Sequence, residues 1–111
     1  MTEHEFRTLA LQLPETAEAE HMGHPDFRVA GRIFATLRHP RAGWAMVKLT
    51  PAQQAAAVRR HPRSFTPVAG GWGRRGCNNV RLRTAPKGLV REALRTAWTN
   101  CGAGRSGPVR G

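Results

Sequence analysis

Two short clusters carry the residue types that grip a polyanion. Arg38-His39-Pro40-Arg41 places two guanidinium groups and an imidazole within four residues. Gly70-Gly71-Trp72-Gly73-Arg74-Arg75-Gly76 sets two arginines beside an indole, in a run where glycine fills four of seven positions. Guanidinium forks bond phosphate oxygens in pairs, and a glycine backbone lets its N–H groups approach the same oxygens. An indole stacks on an exposed base or wedges between base steps. The plainer reading is that Trp72 anchors a glycine loop to the body of the protein and the arginines solvate it. Arg81 and Arg83, alternating with Val80 and Leu82, offer a second basic surface together with Lys87, Arg91 and Arg95, which recur every four residues. A solvated helix face is the alternative for the last three. None of these residues spells a base-reading pattern, so they point to affinity for the backbone with low sequence selectivity.

Other chemistries find less support. His21 and His24 lie between Glu20 and Asp26, but Gly23 and Pro25 break any helical ligand spacing, so no metal is expected. His24-Pro25-Asp26 reads instead as a turn-fixing group that follows Gly23, with His24 or Asp26 bonding the backbone. The serines, Ser64 and Ser106, stand outside any Gly-x-Ser-x-Gly turn, and tyrosine is absent. Cys77 follows Arg-Arg-Gly, a setting that lowers a thiol pKa, although a buried strand cysteine is the simpler reading. After residue 26 the only acid is Glu92, which leaves no carboxylate pair for acid–base hydrolysis. The glycine run lacks the Gly-Lys-Ser/Thr ending of a nucleotide-binding loop. Neither an enzyme nor a cofactor is expected.

The charge balance agrees with the clusters. In 111 residues, 18 bases face 7 acids, for a net charge of +11. Residues 1–26 hold six of the acids and one arginine, so the remainder is almost purely basic. Such a chain attracts nucleic acid first. Sixteen of the bases are arginine, which is also what a GC-rich genome writes by default. The length fits one domain, and no apolar run approaches the roughly 20 residues needed to span a bilayer. An acidic start with no apolar run behind it reads as the absence of a secretory signal, and a cytoplasmic location is expected.

The elements that must position these groups are legible in outline. Thr2 and Glu5 form a capping box ahead of a helix to Leu13, with Phe6, Leu9, Ala10 and Leu13 on one stripe. Residues 17–22 alternate as a half-buried strand, and Gly23-His24-Pro25 turns the chain. Residues 27–30 and 32–37 are β-rich and hinged at Gly31. Residues 44–49 complete a hairpin across the 38–43 loop. Thr50, Pro51 and Gln53 start a helix to Arg60. Residues 64–69 form an edge strand because of Pro67, and 77–83 a strand with one wet face. A last helix from Pro86 buries Leu89, Val90, Ala93, Leu94, Ala97 and Trp98. Helices alternating with hairpins predict an α+β fold: two layers, a mainly antiparallel twisted sheet with helices packed on one face. The domain is expected over 1–99, with a disordered Gly/Arg-rich tail over 100–111.

The chain resembles the MmcQ/YjbR family. The resemblance rests on Leu13-Pro-Glu-Thr16, on Glu20-His-Met-Gly-His-Pro-Asp-Phe-Arg-Val-Ala-Gly-Arg-Ile-Phe-Ala-Thr-Leu37, and on Val47-Lys-Leu-Thr-Pro51. It continues through Phe65-Thr-Pro67, Gly71-Trp-Gly73 with Gly76, and Ala97-Trp98. Arg32 stands where family members often have Lys, and Cys77 where an aromatic or small residue is common. The resemblance implies a CyaY-like two-layer fold, also similar to secretion chaperones, and a double-wing DNA-binding role. Iron binding, as in the frataxins of that fold, does not carry over, because the acids near the start are scattered.

The expectation is therefore a non-enzymatic DNA-binding protein that holds the phosphate backbone through Arg38, Arg41, Trp72, Arg74, Arg75, Arg81 and Arg83. The two hairpin tips are expected to be neighbours forming one cradle. The alternatives are a protein-interaction module of chaperone type, with a protein partner, and a small-ligand pocket under Trp72 and Cys77.

Overall fold

Local signals set the helices. Helix α1 (Glu3–Leu11) opens on Thr2, whose hydroxyl accepts from the Glu5 N–H at 3.1 Å while the Glu5 carboxylate accepts from the Thr2 N–H at 2.8 Å. Two orphan donors at the helix start are thereby satisfied. Helix α2 (Pro51–Arg60) repeats the device with Thr50 and Gln53, and Pro51 occupies a first-turn position that needs no N–H. The structure, a computed structural model, describes residues 1–103.

Six strands form one sheet: β1 (Ala17–His21), β2 (His24–Val29), β3 (Arg32–Leu37), β4 (Trp44–Lys48), β5 (Phe65–Pro67) and β6 (Cys77–Arg81). Their order is β1-β2-β3-β4-β6-β5, and every neighbouring pair is antiparallel. Between β5 and β6 lies a one-turn helix, α3 (Gly71–Arg74); α4 (Lys87–Trp98) follows β6. The α+β class with an antiparallel sheet and helices is as expected.

Residues directly opposite on antiparallel strands share a face. Phe27 and Ala35, Leu37 and Ala45, and Val80 with Phe65 stand on one side. They join Phe6, Leu9, Val90 and Leu94 in the main core, so α1 and α4 cover this side, and Ala57 and Val58 of α2 pack against it. The other side carries Asp26, Thr36, Met46 and Asn79 in one cross-strand row. Here Met46, Val68 and Cys77 form a small cluster of their own, and no long helix lies over it.

Four expectations change. The turn after β1 is Met22-Gly23, with φ of 50° and 81°, so His24, Pro25 and Asp26 belong to β2. Strand β1 is exposed from Ala17 to Glu20 rather than half-buried, because it is the outermost strand. The glycine run is not an open loop. A methyl group on Gly73 would strike the Val68 carbonyl, and one on Gly76 the Leu49 carbonyl, so α3 is pressed onto the sheet margin. Residues 100–103, expected within the tail, are folded onto the domain. Thr99–Ala103 is a closing π-helical turn in which Asn100 donates to the Lys48 carbonyl at 3.1 Å, Cys101 is buried and Gly102 abuts Val29. The remainder of the expected tail, residues 104–111, lies outside the described residues.

Candidate nucleic-acid interface on the open face of the sheet

Strand register decides where the two basic clusters stand. Trp44 pairs with Arg81 at one end of the β4–β6 ladder, and Lys48 with Cys77 at the other. The 38–43 loop leads into Trp44 and the 70–76 segment leads into Cys77, so the tips sit at opposite ends of the strands. The expectation of neighbouring tips is corrected here. At about 3.3 Å per residue, the ends of β4 are roughly 13 Å apart. The clusters nevertheless border one face. Trp44, Met46 and Lys48 alternate onto the open side with Cys77, Asn79 and Arg81, and Trp72 lines a cavity on that side with Met46, Lys48 and Cys77.

At the first end, the Arg81 and Arg41 guanidinium carbons lie 4.7 and 5.8 Å from the Trp44 ring centroid. Stacking on the indole holds both forks in place without neutralising them. Arg63, Arg81 and Arg83 line a shallow depression beside Thr66 and Thr84. Arg38 turns elsewhere. Its guanidinium bonds the Glu3 carboxylate at 3.1–3.3 Å, and that pairing raises its pKa further. At the second end, the Lys48 ammonium lies 5.2 Å and the Arg75 guanidinium 6.0 Å from the Trp72 ring, which is 54% exposed. Arg74 is exposed beside them. Part of the backbone of this segment is engaged: the N–H groups of Arg74, Arg75 and Gly76 donate to Gly70, Gly71 and Gly73 carbonyls at 3.0–3.1 Å.

The far side of the open face is organised by Asp26. It is fully buried, accepts from Arg28 at 2.8 and 3.0 Å, and lies 2.7 Å from Nδ1 of His21. The Arg28 bonds hold its carboxyl below the usual carboxylate range despite burial. Asp26 thus bonds side chains, not the turn backbone expected of it. His39 is 3.0 Å from the Asn79 amide oxygen, and the His24 ring lies between those of His21 and His39, 5.8 and 6.3 Å away. Cys77 is buried with Met46 and Val68, and that burial pushes its thiol pKa up. Lys48 and Trp44 were missed as site residues. Their signal is alternation within β4, which reads only once a partner strand fixes the face.

A family model described as YjbR matches residues 11–100. The chain belongs to the YjbR family. Among solved structures, it is similar to Deinococcus radiodurans protein DR2400, a DUF419 domain. Identity is 21% and the TM-score 0.75, covering 89% of this chain and 77% of that one, which shows a shared fold. No curated protein matches the chain. No helix among the described residues is long and apolar enough to cross a membrane.

Proposed function

We propose that this YjbR protein is a non-enzymatic nucleic-acid-binding protein that lays the open face of its sheet against the DNA phosphate backbone. One observation carries the reading: an uncovered sheet face bounded at both ends by arginine–tryptophan clusters, with no carboxylate pairing to Arg41, Arg74, Arg75, Arg81 or Arg83 among the described residues. The placement of the acids supports it. Glu18 shares the helix side with Phe27, Glu3 and Glu5 lie on α1, and the carboxylate on the open face, Asp26, is buried and paired. Trp44 and Lys48, one in each cluster, stand roughly 13 Å apart along β4, comparable with the ~12 Å major groove, so each cluster meets one phosphate ridge. Arg38, neutralised by Glu3, contributes least.

The test is a fluorescence-anisotropy titration of a labelled duplex from 50 to 200 mM salt. We expect affinity to fall steeply, with log K linear in log salt. Replacing Arg41 and Arg81 by Ala, or Arg74 and Arg75 by Ala, should each flatten that slope by about 2, roughly one per lost phosphate contact. Affinity indifferent to salt, or slopes unchanged in both double variants, would overturn the assignment.

A further inference from the structure

Between the two clusters the open face sinks into a cavity of about 290 Å³. Ile33, Met46, Val68 and Trp72 give it apolar walls, and Thr36 and Lys48 also line it. Three features mark it as built for a ligand. Met22 (92% exposed) and Trp72 (54%) are two of the three large exposed hydrophobic residues among those described, and both border this cavity from opposite sides of the sheet. Exposed apolar side chains gathered around one hollow mark a binding site rather than the usual scatter over a surface. The Thr36 hydroxyl is buried without a hydrogen-bond partner, on a residue only 1% exposed. A buried polar atom of this kind calls for a partner that the protein itself does not supply. Lys48 is half-buried, pairs with no carboxylate among the described residues, and holds its ammonium 5.2 Å from the Trp72 centroid.

We infer that this cavity binds a small carboxylic acid with an apolar, single-ring or short-chain body. The carboxylate pairs with Lys48 at the Trp72 rim, the body lies among Ile33, Met46 and Val68, and a polar atom of the ligand reaches Thr36. A carboxylate fits better than a phosphate ester, because Lys48 is the only Lys or Arg in the lining, and His21 and His39 already have Nδ1 engaged with Asp26 and Asn79. The size suits this class, since 290 Å³ lies at the lower limit for organic-ligand pockets, about 300 Å³. The inference does not rest on the nucleic-acid reading.

The experiment titrates the full ¹⁵N-labelled chain, without nucleic acid, with phenylacetate and with its neutral analogue phenylacetamide. We expect saturable NMR shifts at Thr36, Met46, Cys77 and the Trp72 indole, and at least tenfold tighter binding of the acid. Lys48→Gln should abolish the preference for the acid while leaving amide binding in place, and Lys48→Arg should keep the preference. The Arg41/Arg81 double Ala variant should bind phenylacetate as the parent does, which separates this site from the nucleic-acid contacts. Absence of saturable shifts at those residues, equal affinity for acid and amide, or shifts confined to residues outside this cavity would each overturn the assignment.

Discussion

Asp26 shows how one side chain ties sequence to surface. Its carboxylate is wholly inside the protein, yet Arg28 and His21 keep it ionised and link β2 to the edge strand β1. Its pKa is depressed by folding, so its stabilising contribution is complete above the unfolded value near 4 and is lost as pH falls through the lower folded value. We expect Asp26→Asn to cost about 1–3 kcal/mol at pH 7 through the weakened charge-assisted bonds. The variant should also lose part of the parent's decline in urea midpoint below pH 4. Equal midpoints at pH 7 would show that the network adds nothing to stability. None of this was legible in His24-Pro25-Asp26 as text. The expected turn shifted by one residue because Met22 accepts a positive φ, a choice that no residue preference announces, and Asp26 then pointed across the strands instead of at the backbone.

At the level of elements, what was legible is what is local. Both capping boxes and the buried stripes of α1 and α4 could be read because their partners lie three or four residues away. What failed depended on distant parts of the chain. Glycines that suggest an open phosphate loop instead let α3 press against the Val68 carbonyl and let the chain at Gly76 pass the Leu49 carbonyl, which only the fold brings near. Gly73→Ala should therefore destabilise the protein by about 2–3 kcal/mol through overpacking, measured by thermal or urea unfolding, whereas an open loop would tolerate the change. The ends at which the basic clusters stand follow from strand direction in the β4–β6 ladder. This explains why the residue list was readable and its arrangement was not.

Across the whole molecule, acids and indole-held arginines take different layers. The helix layer holds the acids of α1, Glu18 of β1 paired with Arg7, and also the bases of α2 and α4, Arg59, Arg60, Lys87, Arg91 and Arg95, whereas the arginines stacked on tryptophan stand on the uncovered layer. The margins of the sheet are unequal in another way. Strand β5 is three residues long and ends in Pro67, whereas β1 is five residues long, exposed, and has no proline. Of the two edge strands among the described residues, β1 offers a foreign strand the longer row of backbone donors and acceptors, and Glu18 and Glu20 stand along it. Neutralising both to Gln should let two copies join edge to edge. Sedimentation at rising concentration would then report more self-association than the parent shows, and a variant no more associated than the parent would mean some other device guards that border.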